Sequence, residues 1–308
     1  MNILITGGGG FIGSALAIDL ASAGHSVVAI VRTTVGLIRP EAVKDRLVDK
    51  VARVEKFAIS SLLQKYGIDV VLHCAGSATV SQAQEDPRQD FCSNVCTVSE
   101  ALDSIREASQ RTLFVLVSSA SIYGDRGASP LFEASDSQPI SVYGYNKSIA
   151  ELLTQQYAKQ FDIKTLIVRP FSVYGEAQRK QVIFDLFAKL SRRPDQLSLL
   201  GTGEETRDFL HVEDLVSAVN KLISLEQTGV VNIGTGVSTS IANLAGLIAR
   251  KVSPATLISF NGAGRSIDPK HLVADISLSK KLGIVPSITL ESGLERIHAT
   301  FAATGIHL

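Results

Sequence analysis

The sequence has no surplus of charge, since its 308 residues carry 30 basic and 30 acidic side chains and have a net charge of zero. A neutral chain has no general electrostatic attraction for nucleic acid or for an anionic membrane surface, so any phosphate must be bound by a local group of residues. No apolar run reaches the roughly 18 residues of a membrane-spanning helix, and no basic leader precedes the first apolar run. We therefore expect a soluble cytoplasmic protein without nucleic-acid or membrane partners.

Cysteine is scarce as well. Cys74, Cys92 and Cys96 are the only three, and they do not form the paired Cys-x-x-Cys clips of a zinc site. We expect three buried free thiols and no metal. The chain does have 45% hydrophobic residues, which is enough to bury a large core as one compact unit or as two closely packed lobes.

The first motif is the glycine-rich turn Thr-Gly-Gly-Gly-Gly-Phe-Ile-Gly at residues 6–13. It follows an apolar run at 2–5 and precedes apolar residues with helical spacing. The three-residue spacing of Gly7, Gly10 and Gly13 allows a tight turn, a close approach of the backbone to a pyrophosphate, and close packing of a helix on a strand. The motif predicts a strand, a turn and a helix that bind a dinucleotide.

Further apolar runs continue this pattern. Strands that are apolar on both faces are typical of a parallel sheet covered by helices, and helical stretches separate these runs. The sequence therefore predicts an α/β fold with a Rossmann-like, doubly wound parallel sheet. The remaining strands are expected at residues 26–31, 69–73, 112–117 and 164–168.

A proton-transfer site is predicted at Tyr143 and Lys147. A phenol has a pKa of about 10, so it is a poor base at neutral pH without a fixed cation nearby. Residues four apart lie on the same face of a helix, which places the Lys147 ammonium beside Tyr143, whereas Tyr145 faces away. Lowering the phenol pKa by about three units needs roughly 4 kcal/mol. We expect Lys147 and the positive nicotinamide ring of an oxidised cofactor to supply it.

These motifs belong to a set of seven that follow one another along nearly the whole chain. These seven motifs, and their order along the chain, resemble the motifs of the extended short-chain dehydrogenases/reductases of the nucleotide-sugar epimerase/dehydratase family. The motifs lie at residues 6–13, 73–76 with Asn94, 118–124, 143–147, 169–175, 207–214 and 265–269.

The resemblance implies a catalytic trio of Ser119, Tyr143 and Lys147. Ser119 would hydrogen-bond the reacting sugar hydroxyl, Tyr143 would transfer its proton, and Lys147 would hold the cofactor ribose. The cofactor would also be bound by Gly7, Gly10, Phe11, Ile12, Gly13, Ala75 and Asn94.

The substrate implied by the resemblance is a nucleoside diphosphate sugar. Arg207 and Arg265 would bind its diphosphate, because a guanidinium donates two parallel hydrogen bonds to phosphate oxygens. Ser172 stands where many 4-epimerases have asparagine. Leu272 stands where some relatives have a tyrosine, which suggests room for an N-acetyl group.

Two lobes and a homodimer are also implied. A dinucleotide-binding Rossmann domain would occupy residues 1–168 and return near 207–234, and a smaller sugar-nucleotide-binding lobe would occupy most of 169–308. In the family, two helices, here near 88–108 and 144–161, pack against their symmetry mates.

The cofactor is predicted as NAD or NADP. The second strand is followed by Arg32 and Thr33, where NAD-selective relatives have an aspartate for the adenosine ribose. An arginine there favours the 2′-phosphate of NADP. The adenine-side aspartate is also missing from residues 57–60.

The reaction is predicted from Ala120 and Ser121. The 4,6-dehydratases of the family have an aspartate and a glutamate after the catalytic Ser/Thr, and neither Ala120 nor Ser121 can replace them. Hydride transfer at C4 remains, in a 4-epimerase or in an NADPH-dependent 4-ketoreductase. The segment 119–124 favours the epimerase and Arg32 the reductase; we predict the epimerase, with the reductase as the alternative. A non-catalytic, dinucleotide-sensing protein is a third hypothesis, since fold does not fix function.

Overall fold

The structure is a computed structural model that describes residues 1–31, 45–51, 55–77, 79–108 and 111–304. Its contacts divide the chain into two compact units, each assembled from separate segments. Unit 1 consists of Met1–Tyr123, Asp136–Arg169 and Val216–Val231, and unit 2 of Gly124–Ser135, Pro170–Leu215 and Asn232–Leu308.

The boundaries between the two units can be compared with the predicted domain boundaries. Unit 2 resumes at Pro170, next to the predicted change of lobe at 168/169, and the chain returns to unit 1 at 216–231, within the 207–234 stretch. Residues 124–135 also belong to unit 2, which was not predicted from the sequence.

A seven-stranded sheet forms the centre of unit 1. Its strands are β1 (Asn2–Thr6), β2 (Ser26–Val31), β3 (Leu47–Val51), β4 (Val70–His73), β5 (Leu113–Val117), β6 (Thr165–Pro170) and β11 (Gly229–Ile233). They lie in the order β11–β6–β5–β4–β1–β2–β3. The pairings that join the six strands from β6 to β3 are all parallel. The parallel α/β sheet predicted from the apolar runs is therefore confirmed.

Helices connect these strands. They are α1 (Phe11–Ser22), α2 (Lys56–Tyr66), α3 (Val80–Glu85), α4 (Pro87–Phe91), a π-helical turn (Cys92–Cys96), α5 (Thr97–Ala108), a 3₁₀ turn (Ala120–Tyr123), α6 (Val142–Phe161) and α8 (Val212–Ser224).

The core of unit 1 explains why its strands are apolar on both faces. Alternate strand residues such as Leu4 and Phe114 join side chains of α2 and α5, including Leu63 and Leu102, in one buried cluster. The intervening strand residues, such as Ile5, are buried as well. Full burial of each large apolar side chain contributes about 1.5–3 kcal/mol, so apolar residues on both faces of the central strands stabilise this sheet.

Unit 2 has sheets of only two or three strands, and its helices supply much of its core. Its helices are α7 (Gln181–Leu190), α9 (Ile241–Val252), α10 (Ser277–Lys281) and α11 (Leu290–Thr304). Its strands are β7 (Ser172–Tyr174), β8 (Gln196–Leu199), β9 (Thr206–Arg207), β10 (Phe209–His211), β12 (Thr239–Ser240), β13 (Leu257–Phe260) and β14 (His271–Leu272). Phe187, Leu244 and Leu294, from three different helices, meet in its buried core.

The cysteine prediction is partly wrong. All three thiols are free, but Cys92 and Cys96 are exposed and Cys74 is half-buried. The π-helical turn carries Cys92 and Cys96 outward and Asn94 inward. Across the described ranges, no helix combines the length and apolarity required to cross a membrane, and no cluster of three or more metal-ligating side chains occurs there.

Candidate active site

The glycine turn of unit 1 has no room for a side chain at Gly7 or Gly13. Gly7 has a φ of +69°, and a Cβ there would lie 2.7 Å from the backbone of Cys74 and Ala75. A Cβ at Gly13 would lie 2.2 Å from the Gly7 carbonyl oxygen. The N-cap of α1 is Gly10, which offers no side-chain acceptor to the N–H groups of the first turn. A narrow turn that ends in such a helix N-terminus fits a pyrophosphate.

The segment after β4 lies against this turn and forms a cradle with it. The Ala75 N–H donates to Thr6 Oγ1 at 3.3 Å. A Cβ on Gly76 would lie 2.4 Å from Asn94 Oδ1 and 3.6 Å from Lys147 Nζ. Asn94 is buried, and its Oδ1 has no hydrogen-bond partner among the residues that the structure describes. A buried acceptor beside an ammonium fits the hydroxyl groups of a bound dinucleotide.

Ser119, Tyr143 and Lys147 come together at the carboxyl end of β5. Ser119 follows this strand, and its side chain acts to lower the pKa of Tyr143. The Lys147 ammonium reaches back to donate to the Val117 carbonyl oxygen at 3.1 Å, and it lies 6.0 Å from the centre of the Tyr143 ring.

Two local features bring α6 to this position. Ser141 caps the helix by accepting from the Gly144 N–H at 3.1 Å. A Cβ on Gly144 would lie 2.7 Å from the Ser121 carbonyl oxygen, so a glycine at 144 allows α6 to approach the Ser119 segment. The structure thus gives Gly144 a packing role between the two motifs.

Burial determines the charge state of the two proton-transfer candidates. It raises the pKa of Tyr143 to about 12, against the opposing effect of the hydrogen bond with Ser119. It lowers the pKa of Lys147 to about 8, although Cys74, Asp90 and Glu151 act to raise it. The prediction that Lys147 and a bound nicotinamide together lower the Tyr143 pKa concerns the cofactor complex and stays a prediction. In the protein alone, the removal of the phenol from water is the largest effect on this pKa.

A buried polar network behind Ser119 was not predicted. Ser118 donates to Glu151 Oε1 at 2.5 Å, and Arg169 binds the same carboxylate with an Nη2–Oε2 distance of 2.6 Å. Arg169 also donates to the Tyr123 hydroxyl at 2.8 Å. The network therefore binds both ends of the segment that carries Ser119. The one sequence signal for it is the position of Glu151, four residues after Lys147 and on the same face of the helix.

Unit 2 holds the predicted substrate residues. Arg207 lies beside Leu272 in the β9–β14 pairing, and it donates to the Thr206 and Lys270 carbonyl oxygens at 2.8 and 3.2 Å. Burial lowers its pKa. Ser172 lies beside Phe209 in the β7–β10 pairing.

Asp208 fixes this part of unit 2, and sequence reasoning missed it. Its buried carboxylate accepts from the N–H groups of Thr235, Gly236 and Ala274 at 2.7, 2.8 and 3.2 Å. The neighbouring Arg207 is thereby held on a rigid backbone.

The other predicted arginines have different surroundings. Arg265 is half-exposed and forms an ion pair with Asp268 at 3.5 Å. Asp268 also acts to raise the pKa of Arg207, so one carboxylate serves both arginines. Arg32 and Thr33 lie outside the described residues, and the NADP prediction that depends on Arg32 stays a prediction.

Comparison with known proteins agrees with this geometry. The profile of the NAD dependent epimerase/dehydratase family matches residues 3–234. The UDP-glucuronate 4-epimerase of Thermodesulfobacterium geofontis is 32% identical over 249 residues, which cover 78% of this chain and 74% of that protein. The UDP-glucose 4-epimerase of Mycolicibacterium smegmatis is 26% identical over 303 residues, with 96% and 97% coverage.

A solved structure extends the comparison over the whole chain. The crystal structure of UDP-glucuronic acid 4-epimerase from Bacillus cereus, in complex with UDP-glucuronic acid and NAD, matches with a TM-score of 0.90 at 26% identity. The match covers 99% of this chain and 100% of that one.

Proposed function

The chain belongs to the NAD-dependent epimerase/dehydratase family, and on that premise we propose that it is an NAD(P)-dependent nucleotide-sugar 4-epimerase. The observation that carries the proposal is the position of Ser119, Tyr143 and Lys147 at the carboxyl end of β5, with Tyr143 and Lys147 buried one helical turn apart and the Lys147 ammonium beside Gly76 of the cradle. This arrangement provides a proton acceptor, its partner and a cation at one point.

The proposed chemistry inverts the configuration at C4 of the sugar. A bound nicotinamide supplies the acceptor, and later the donor, of the C4 hydride. Tyr143 takes the proton of the C4 hydroxyl and returns it after the sugar has turned its other face. Ser119 hydrogen-bonds the same oxygen, and Lys147 stabilises the negative charge of the phenolate.

The pKa values of Tyr143 and Lys147 in the protein alone determine how much the bound complex must stabilise the phenolate. Bringing the pKa of Tyr143 from about 12 to neutral pH takes about 7 kcal/mol of differential stabilisation. Because the Lys147 pKa of about 8 leaves most of that side chain protonated at pH 7, its ammonium contributes to this stabilisation in the working pH range.

The substrate is proposed to be a uridine diphosphate sugar. The two relatives described above support this choice, since they are 4-epimerases of UDP-sugars. Arg207 and Arg265 are proposed to bind the diphosphate in unit 2, with Ser172 and Leu272 nearby along the pairings described above.

Epimerisation is favoured over elimination and over net reduction. Ala120 is buried and apolar, and the Ser121 hydroxyl is buried without a partner among the described residues, so neither supplies the acid or base of a dehydratase. The argument for a 4-ketoreductase rests on Arg32, because an arginine at that position favours NADP. The solved relative from Bacillus cereus instead holds NAD.

One experiment tests the proposal. The purified protein is denatured, the released dinucleotide is identified by mass spectrometry, and the native protein is incubated with UDP-glucose or UDP-glucuronic acid without added cofactor. We expect retained NAD(H) or NADP(H) and inversion at C4, followed by nuclear magnetic resonance. An empty protein that oxidises added NADPH with a UDP-4-keto sugar would instead establish the reductase, and a protein that retains dinucleotide without turnover would establish the sensing hypothesis.

A further inference from the structure

Asp90 is a buried carboxylate that accepts hydrogen bonds from two side-chain amides. It lies on α4 and is 2% exposed. Its Oδ1 accepts from Asn94 Nδ2 at 3.0 Å, and its Oδ2 accepts from Asn146 Nδ2 at 2.7 Å. A buried charge is costly unless hydrogen bonds satisfy it. The carboxylate therefore fixes both amides, since each must turn its NH₂ group toward it.

The two amides belong to the two sides of the candidate active site. Asn94 lies in the π-helical turn, a type of distortion that is frequent at functional sites, and its Oδ1 faces Gly76 in the cradle. Asn146 lies on α6 between Tyr143 and Lys147. The Asp90 carboxylate therefore joins Asn94, which lies beside the cradle, to α6, which carries Tyr143 and Lys147.

We propose that Asp90 is a positioning residue, whose carboxylate joins Asn94 to Asn146 and holds Tyr143 and Lys147 at a fixed distance from the dinucleotide cradle. The inference rests on the proposed function in one respect, namely that a dinucleotide binds in this cradle. None of the sequence motifs includes Asp90 or Asn146 in a functional role.

The charge of Asp90 acts in the same place. It raises the pKa of Lys147, together with Cys74 and Glu151, and it raises the pKa of Tyr143. The Glu151 carboxylate is paired with Arg169, whereas Asp90 has amide donors in the hydrogen bonds described above. Asp90 thus supports the ammonium form of Lys147, which the proposed chemistry requires.

An exchange of the Asp90 and Asn146 side chains tests this connection. In Asn146→Asp, two carboxylates face each other at hydrogen-bond distance and repel. In the double variant Asp90→Asn/Asn146→Asp, the new amide at position 90 accepts from Asn94 and donates to the new carboxylate at position 146, so every hydrogen bond and the net charge are kept. We expect the single variant to weaken NAD binding about tenfold or more and the double variant to bind within about threefold of wild type.

Calorimetry measures the dissociation constants of NAD and of ADP, which lacks the nicotinamide ribose. For Asn146→Asp we expect the ADP constant to stay within about twofold of wild type, because the glycine turn is untouched. Asn220→Asp is the matched control: Asn220 Nδ2 donates to Asp19 Oδ2 at 3.3 Å on other helices of unit 1, so the same substitution creates the same repulsion elsewhere. It should leave the NAD constant unchanged.

Three outcomes would overturn the inference. They are a double variant as weak as Asn146→Asp, an equal loss of NAD and ADP binding in the single variant, and a wild type that binds no dinucleotide. Since the readout is binding, a wild type that binds NAD and shows the rescue but epimerises no sugar nucleotide would refute the proposed function alone.

Discussion

Tyr143 and Tyr145 are two residues apart on α6 but differ in environment. Tyr143 is 8% exposed and lies beside the Lys147 ammonium, whereas Tyr145 is 57% exposed. Residues two apart on a helix point in different directions. Of the two phenols, Tyr143 is therefore the one that we propose as the proton acceptor.

Replacing the Tyr143 hydroxyl tests this at once. We expect Tyr143→Phe to lower kcat by about 100-fold or more, because the proton acceptor is lost, while the thermal unfolding midpoint stays near that of wild type. Tyr145→Phe serves as the control and should retain full kcat. Turnover close to wild type in Tyr143→Phe would refute the assignment.

A second test at the residue scale concerns the diphosphate. Arg207→Ala should raise the KM for the UDP-sugar about tenfold or more, since hydrogen bonds to charged groups contribute about 1.5–3 kcal/mol each. The dissociation constant of NAD should change little. Arg250→Ala, at an exposed position of α9, is the control. Equal changes in both constants would show that Arg207 is structural.

Sequence patterns predicted candidate residues for the chemistry but not their environments. Ser119, Tyr143 and Lys147 belong to short motifs that can be read directly. The Tyr143 pKa depends on how much protein surrounds the phenol, which no motif encodes. Asp90 and Asn146 are 56 residues apart, and a contact of that kind arises only when α4 and α6 pack together.

At the scale of elements, β4 is anchored by the buried His73. Its Nδ1 lies 3.0 Å from Thr6 Oγ1 on β1, and its Nε2 lies 3.2 Å from Thr97 Oγ1 on α5. Burial, and then the charge of Lys147, lowers the pKa of His73 to about 3. The folded protein therefore keeps this imidazole neutral at pH values where the unfolded chain binds a proton.

This difference predicts loss of stability in acid. Between pH 6.5 and 3 the unfolded state binds the additional proton, so the free energy of unfolding falls as the pH falls. From about pH 6.5 to about pH 4.5 wild type should lose about 2 kcal/mol more than His73→Gln, which keeps polar contacts but does not titrate. Urea unfolding curves at several pH values measure it. Parallel pH dependences of the two proteins would contradict the prediction.

The same scale shows which elements were predictable. The apolar runs of β1, β2, β4, β5 and β6 identified these strands almost to the residue. The short edge strand β3, with the sequence Leu-Val-Asp-Lys-Val, was missed because two charged residues interrupt it. The π-helical turn was missed because its departure from the α-helical period involves a single turn.

For the whole molecule, the exposed apolar side chains of unit 1 support a homodimer. On the first of the two helices predicted to form the interface, near residues 88–108, the apolar residues Val98, Leu102 and Ile105 are buried in the core, because that face of α5 covers the sheet. Phe91 on α4 and Leu152 on α6 remain 40% and 64% exposed. We propose these exposed side chains, with Ile149, as the centre of a two-fold interface.

Charge substitution tests the interface. Light scattering at micromolar concentration should give a dimer for wild type. Leu152→Arg should raise the dimer dissociation constant about 100-fold, since a two-fold axis duplicates each lost apolar contact. Val285→Arg, at a position of unit 2 that is 69% exposed, should leave the mass unchanged. A monomeric wild type would refute the dimer.

The interrupted course of unit 1 along the chain has a consequence during synthesis. Strand β11 completes the sheet beside β6, yet its residues leave the ribosome only after much of unit 2 has been made. At about 5–20 residues per second, the roughly 60 residues from Arg169 to Val231 take about 3–12 s to translate. During that time β6, whose residues are all buried in the finished protein, is an open sheet edge. We therefore expect this open edge to be a site of aggregation in the nascent chain until β11 is made.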